Sequence, residues 1–485
     1  MPEVRAQRSS PFVMRAQSAS LSFIHLYLTW ALFVSVINTA FAQLRMDPPA
    51  PTPEGMRLRW TNTGSNAVYT VQTRSRLHGG VWLLPPAPEP WPIPHPSWID
   101  PTPPLSNRFY RVLAMPAVQR GHLLQHQIRT NLSRLQITLL LALAGVNVVP
   151  FYDVQIYKFT YQTIGPWGEP FQASAALAIP TGAASWPLLS YQHGTLLRTN
   201  EAPSVSDISG ELGIGILFAS RGYVTILPDY LGLGESPGLH PYHHARSEAT
   251  ASLDAIRAAR SLCRQRAVNL NGQLFLAGYS QGGHATMALH REIERFHLNE
   301  FDLTASAPMA GAYDLSGVTT EDFLSGRPQP NPYYFAYLLA AYQEVYRLTN
   351  RLADLLSPPY DILLPPLFHG HVAGSTLNAL MPSNPLLILR PEVLNAFRTD
   401  PEHPLRLALR ENDVHRWRPQ RPMRLYHCSA DQDVVFANAQ VALASFHEQG
   451  ATHVQLVEPI PGGTHATCVV PALLQVLQWF DSLKR

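Results

Sequence analysis

Leu274-Phe275-Leu276-Ala277-Gly278-Tyr279-Ser280-Gln281-Gly282-Gly283 is the stretch on which the reading of this chain turns. Its first four residues are uniformly apolar, the mark of a strand buried on both faces. Residues 285–293 then carry helical periodicity. Between the two sits a serine flanked by glycines. At a strand-to-helix corner such a serine is held in a strained conformation, and the glycines leave room for it and expose its hydroxyl above the sheet. A bare Gly-x-Ser-x-Gly says little, but the strand–turn–helix setting makes it specific. Ser280 is therefore the candidate nucleophile.

A serine hydroxyl attacks only with a base to take its proton and an acid to orient that base. With a nucleophile at such a corner, the expected chain order is Ser, then Asp or Glu, then His. His465 lies in Pro461-Gly462-Gly463-Thr464-His465-Ala466-Thr467, after an apolar strand and before the last helical stretch. It is the candidate base. Met423-Arg424-Leu425-Tyr426-His427 reads as a strand that opens into Cys428-Ser429-Ala430-Asp431-Gln432-Asp433-Val434-Val435. Asp431, just past the strand end, is the candidate acid, and Asp433 is the alternative. Either would hold His465 in the working tautomer. The oxyanion needs preorganised amides. Gln281, directly after the serine, should supply one. Ser190-Tyr191-Gln192-His193-Gly194-Thr195 should supply the other, at Thr195. Protonating His465 would remove the base, so activity should fall in acid.

Outward from this site the chain alternates strands and helices, as a mostly parallel α/β sheet does. Strands are expected at 155–163, 173–179, 188–192, 223–227, 273–277, 304–308, 423–427 and 453–457, and helices at 247–264, 283–296, 437–448 and 471–483. Residues 315–422 break the rhythm. They are rich in leucine and aromatic residues, and Pro358-Pro359 and Pro365-Pro366 interrupt them. An insertion there would cap the strand ends. Tyr333, Tyr334, Phe335 and Tyr337 within it either pack a helix or line an acyl pocket.

Four blocks together resemble the secretory lipase family of α/β-hydrolases. They are Tyr191-Gln192-His193-Gly194-Thr195; Pro228-Asp229-Tyr230-Leu231-Gly232-Leu233-Gly234 with His240-Pro241-Tyr242; Gly278-Tyr279-Ser280-Gln281-Gly282-Gly283; and the Asp431 and His465 loops. The resemblance covers residues 118–485. It implies an α/β-hydrolase fold with a helical cap and an ester hydrolase with Ser280, Asp431 and His465 as triad and Thr195 and Gln281 at the oxyanion hole. The repeated aspartate of Asp431-Gln432-Asp433 departs from the pattern and leaves the acid open between the two. The implied mechanism is acyl transfer through an acyl-enzyme, on a small-molecule or lipid ester, without cofactor. A serine peptidase of the same fold is the enzymatic rival; it needs a site for a peptide terminus. An inactive surface-binding protein is the other, and the complete set of nucleophile, acid and base argues against it.

The ends and the composition set the frame. Arg5, Arg8 and Arg15 precede an apolar run, 21–39, and Ala40-Phe41-Ala42 follows, so residues 1–42 read as a signal peptide and the protein as secreted or periplasmic. An uncleaved anchor is the alternative. Later on, 135–149 comes nearest to a membrane span, and Gly145, Asn147 and Pro150 break it. Residues 43–115 form a separate stretch: 56–60 and 67–72 alternate as half-buried strands do, 85–104 is proline-dense, and 108–113 is a closing strand. This resembles the small fibronectin-like β-sandwich modules of exported proteins, a spacer or a contact to a surface or polymer. Residues 116–485 are the α/β domain. The 485 residues are 46% hydrophobic and only 14% charged, enough for a large core, and the formal net charge of +2 calls for no nucleic acid. Of three cysteines, Cys428 and Cys468 lie three residues from Asp431 and His465 and would be bridged if those two touch; two buried thiols are the alternative. Cys263 reads as a core thiol. The histidines 240, 243 and 244, and 369 and 371, lack ligand spacing, so no metal is expected. Asp229 reads as a structural hydrogen-bonding aspartate.

Overall fold

The structure, a computed structural model, describes residues 44–61, 66–76, 80–85, 90–101, 108–207 and 210–485. The expected signal peptide, 1–42, lies outside the described residues. Strands β1 to β6 are Arg45–Met46, Ala50–Thr52, Gly55–Thr61, Ala67–Arg74, Ser97–Asp100 and Phe109–Pro116. Strands β7 to β15 are Leu123–Leu132, Val154–Ile164, Pro170–Pro180, Trp186–Gln192, Val224–Pro228, Leu270–Tyr279, Asp302–Met309, Arg424–Tyr426 and Gln455–Val457. The chain divides into a small and a large unit.

The described residues of the small unit contribute β-strands and no helix. Strand β3 pairs antiparallel with β1, β2 and β5. The alternation read at 56–60 has its cause here: Leu58 and Trp60 turn inward, Arg59 turns out, and Leu58 pairs with the buried Trp98 of β5.

The large unit is built on a nine-stranded sheet in the order β15-β14-β13-β12-β10-β11-β9-β8-β7. From β11 to β15 the pairs are parallel, and β9, β8 and β7 add an antiparallel flank. Helices α1 (Arg134–Leu143), α2 (Glu211–Ser220), α3 (Ala245–Gln265), α4 (Gln281–Phe296), α5 (Tyr333–Tyr346), α6 (Pro404–Glu411), α7 (Ala437–Glu448) and α8 (His465–Leu483) matter below. Strand β12 lies between β10 and β13. Its alternate residues serve two cores: Phe275 and Ala277 join the α8 side, Leu274 and Leu276 the α3 side. That explains an apolar run without alternation.

Two sequence expectations change. Helix α8 begins at His465, not at Pro471, because the Thr464 side chain accepts from the Thr467 amide in a reciprocal cap. The expected base therefore stands on the first residue of a helix rather than in a loop. This helix, and not 135–149, is also long and apolar enough to cross a membrane by length and composition. Its Ala472, Leu473, Val476, Leu477 and Phe480 are buried in the sheet core.

The insertion leaves after β13 and returns at β14, two parallel neighbours paired at Met309 and Tyr426. It buries its own apolar cluster, including Leu339, Tyr342, Ile388, Phe397 and Leu405.

The glycines at the β12–α4 corner are required by close approach. A Cβ on Gly282 would stand 1.9 Å from the Gln192 carbonyl oxygen, and one on Gly278 2.3 Å from that of Gly282. Both obstacles are backbone and cannot rotate away. Gly282→Ala should therefore cost about 2–4 kcal/mol in chemical unfolding. An unchanged unfolding midpoint would contradict this packing.

Candidate active site

Ser280 occupies the corner between β12 and α4 with φ 61° and ψ −121°. A non-glycine residue there is strained, and such strain concentrates at functional sites. The corner holds it: the Ser280 amide donates to Met309 O at 2.9 Å, and the Gly283 amide returns to Ser280 O at 2.9 Å. Only 8% of the residue is exposed.

His465 reaches this corner through Tyr279. The Tyr279 hydroxyl donates to the His465 carbonyl oxygen at 2.6 Å, and the two rings are 5.0 Å apart. The His465 Nδ1–H donates to Asp431 Oδ2 at 2.6 Å. That contact leaves Nε2 as the acceptor nitrogen. Asp431 Oδ1 accepts the amides of Asp433 and Val434, at 3.0 and 2.9 Å. Burial opposes its charge, but the hydrogen bonds from His427 and His465 outweigh burial and hold its carboxyl down at about 2. Asp433 turns instead to Asn331 of the cap, at 2.5 Å. Geometry thus brings Asp431, and not Asp433, to His465.

His427 was not singled out from sequence. Its Nε2–H points at both Asp431 Oδ2, 3.1 Å, and Val434 O, 2.8 Å. It is the last residue of the stretch read as a strand, and no sequence signal marks it. Cys428 and Cys468 form a disulfide, which ties the Asp431 loop to the helix that carries His465.

The backbone amides of Thr195 and Gln281 have no hydrogen-bond partner among the described residues. Gly194, beside Thr195, would place a Cβ 3.9 Å from the Ser280 Cβ. Thr195 Oγ1 meets the Tyr242 hydroxyl at 2.8 Å. The loop is backed by Glu211, the first residue of α2, whose Oε1 accepts the Gly194 amide at 3.1 Å. Burial pushes the Glu211 carboxyl up to about 7. On the other side the Gln281 side chain is buried against His240 and Glu248. Asp229 is a hydrogen-bonding residue: it accepts from Ser174 Oγ at 2.5 Å and from the Ser204 amide at 2.9 Å.

A narrow cleft lies beside the Asp431 loop, lined by Tyr242, His243, Leu315, Tyr334, Leu338 and Asp433 among others. The aromatic run of the cap divides its work. Tyr334 lines the cleft, Phe335 packs on Phe323, and Tyr337 stacks on Tyr242 at 4.6 Å. His369 and His371 are exposed on the cap.

His243, Glu248 and His284 cluster closely enough to suggest a metal, as do Asp314, Asp413 and His415. Neither donor set fits one. His284 Nδ1 is 2.7 Å from Glu248 Oε2, a hydrogen-bond distance, whereas two ligands about 2.0–2.2 Å from one tetrahedral ion stand roughly 3.3 Å apart. Asp314 and Asp413 spend their oxygens on amides and the hydroxyl of residues 316–318.

Sheet, corner serine and cap together define an α/β-hydrolase. The secretory lipase family model matches residues 211–293. The rice cell wall degrading esterase LipA from Xanthomonas oryzae is 34% identical, over 76% of this chain and 99% of LipA, with a TM-score of 0.68. Candida antarctica lipase A shares the fold at 17% identity and a TM-score of 0.57, over 76% of this chain and 84% of its own. No curated protein sequence matches the chain. The chain belongs to the secretory lipase family and is a carboxylic ester hydrolase.

Two outcomes follow from the geometry. Neither Cys428 nor Cys468 should react with a maleimide before reduction, and denatured, unreduced protein should show one thiol, that of the buried Cys263. The bridge spans 40 positions, so Cys468→Ala should cost about 3–4 kcal/mol of stability. The second concerns Glu211. Its folded pKa, about 7, lies above the ordinary 4.5, so its contribution is present in acid and lost as pH rises through 7. Glu211→Gln keeps the acceptor for Gly194 and removes the charge. The Tm of this variant relative to the parent should climb between about pH 5 and about pH 8; a flat difference would place the charge elsewhere.

Proposed function

We propose that the chain is an exported serine ester hydrolase working through a Ser280–His465–Asp431 triad. His465 Nε2 takes the Ser280 proton as Oγ attacks the ester carbonyl carbon. The carbonyl oxygen becomes an oxyanion against the amides of Gln281 and Thr195. The intermediate collapses: the bond to the alkoxy oxygen breaks, His465 returns the proton to it, and the alcohol leaves. Water then adds to the acyl-enzyme by the same route, releasing acid and free Ser280. Asp431 holds the His465 tautomer and stabilises its imidazolium.

The observation that carries this reading is the 2.6 Å contact from His465 Nδ1 to Asp431 Oδ2, with His465 tied through Tyr279 to the strained Ser280 corner. The two unpartnered amides beside the corner support the oxyanion assignment. Export rests on the basic, apolar and Ala-Phe-Ala pattern of residues 1–42. The small β unit would act as a spacer or as a contact to a surface or polymer. LipA, a cell wall degrading esterase, makes esterified plant polymers a substrate class to set beside soluble and lipid esters.

Ser280→Ala should lower kcat on p-nitrophenyl esters by about 10⁴-fold or more, and Asp431→Asn by about 10⁴-fold, with KM little changed. Asp433→Asn should stay within about threefold of the parent, since Asp433 does not touch His465. Full ester hydrolysis by Ser280→Ala would refute the mechanism. Loss in Asp433→Asn with an active Asp431→Asn would reassign the acid.

A further inference from the structure

The Gln281 side chain sits in a fully buried polar knot. Gln281, His284, Glu248 and His240 are each no more than 1% exposed. The Gln281 Nε2 group uses one hydrogen on His240 Nε2, at 2.6 Å, and the other on Glu248 Oε1, at 2.8 Å. His240 can accept because its Nδ1–H is committed to Leu231 O, at 2.8 Å. The second oxygen of Glu248 meets His284 Nδ1 at 2.7 Å, and His284 Nε2–H donates to Asn412 O at 2.9 Å. Two segments thus converge on one glutamine of α4: the loop before α3, through His240, and α3 itself, through Glu248.

This arrangement is costly. Glu248 loses its water, and Gln281 Oε1 is buried with no partner among the described residues, a penalty of about 1–3 kcal/mol. A polar cluster that leaves one of its own groups unsatisfied is a poor device for stability alone. Its position gives the reason. Gln281 is the first residue of α4, directly after Ser280, and its amide has no partner among the described residues. Turning that amide would drag the side chain out of both hydrogen bonds.

We propose that Glu248 is a positioning residue for ester hydrolysis: through the Gln281 side chain it holds the Gln281 backbone amide aimed at the oxyanion. The proposal rests on the reading of that amide as an oxyanion donor. Glu248 touches no substrate; it acts through Gln281. The His284 contact keeps the carboxylate in place and supplies one proton to the pair. The charge itself is not the working feature; the two directed oxygens are.

That distinction makes a test. A glutamine at 248 accepts from Gln281 with its oxygen and donates its NH₂ to His284 Nδ1, so every bond survives without the charge. An aspartate keeps the charge but is one methylene too short to reach both partners. The measurements are kcat and KM on a p-nitrophenyl ester, and the inhibition constant of an alkyl boronic acid, a tetrahedral adduct former. Folding is followed by thermal unfolding. Glu248→Gln should retain kcat within about threefold, whereas Glu248→Asp and Glu248→Leu should lose about 10- to 100-fold in kcat with KM little changed. Boronate binding should weaken in step with kcat. If Glu248→Leu does not fold, the opposed results for Gln and Asp still decide. A folded Glu248→Asp with parental kcat and boronate binding would overturn the proposal, as would Glu248→Gln losing as much as Glu248→Asp. One equivalent of metal in the purified protein, lost in Glu248→Gln, would overturn it too. Ser280→Ala, assayed alongside, separates the two failures. If it is inactive and Glu248→Asp is parental, only the positioning role falls; if it is active, the catalytic reading falls and the proposal with it.

Discussion

At Gly282 the start of a helix lies against the end of a neighbouring strand so closely that a single methyl group would stand 1.9 Å from the Gln192 carbonyl oxygen. Much of the site depends on that approach. Strands β10 and β12 are parallel neighbours, with Gln192 paired to Gly278. The residues that follow Gln192, through Gly194 to Thr195, therefore emerge beside the residues that follow Gly278. One contact between backbones sets the Ser280 corner, the Gln281 amide and the Gly194–Thr195 loop at the same time. The serine's positive φ and the glycines on either side are one steric constraint seen from different positions.

The acid and the histidine are held in another way. Strands β14 and β15 are three residues each, and β14 meets β13 through a single register pair. So short an edge supports a loop poorly. The Asp431 loop has local reinforcement instead. Its carboxylate takes two amides from its own turn and two histidine rings. The Cys428–Cys468 bridge joins the loop covalently to α8. The Tyr279 hydroxyl then ties α8 back to the corner. What the sheet supplies by packing on one side, hydrogen bonds and a disulfide supply on the other.

This difference explains what could be read from sequence. The corner is local: four apolar residues, five of turn and a helix, all within about one strand and one helix of chain, so periodicity and glycine spacing reveal it. The sheet rhythm and the cap are legible for the same reason. The proline at 471 looks like a first turn and draws the expected start of α8 towards itself, while the Thr464–Thr467 cap, which begins seven residues earlier, does not depend on apolar periodicity. The open choice between Asp431 and Asp433 was a question of which way a turn faces. The structure bonds two amides back to Asp431 and turns Asp433 to Asn331 of the cap. His427, Glu211 and Glu248 left no mark at all. Glu211 and Glu248 meet partners that the fold, not the spacing, brings near, Gly194 and Gln281, while His427 lies four residues before Asp431 in a turn that matches no motif.

The buried carboxylates around the corner also obey one electrostatic rule. Asp431 and Glu248 each have histidine partners, and each is held down at about 2 despite burial. Glu211 accepts an amide and has no cationic partner among the described residues, and burial pushes it up to about 7. In a low-dielectric interior a bare charge is expensive, so a carboxyl either gathers enough hydrogen-bond donors or is driven towards its neutral form. The outcome suits the proposed chemistry. Negative charge would develop on the oxyanion between Thr195 and Gln281. A fixed anion directly behind Gly194 would oppose it; below about pH 7 the Glu211 carboxyl is mostly neutral and still accepts the Gly194 amide. The anions that remain are those already matched by an imidazole. Below about pH 7 the site thus keeps its acceptors where hydrogen bonds need them and adds little negative charge where the transition state would have to place its own.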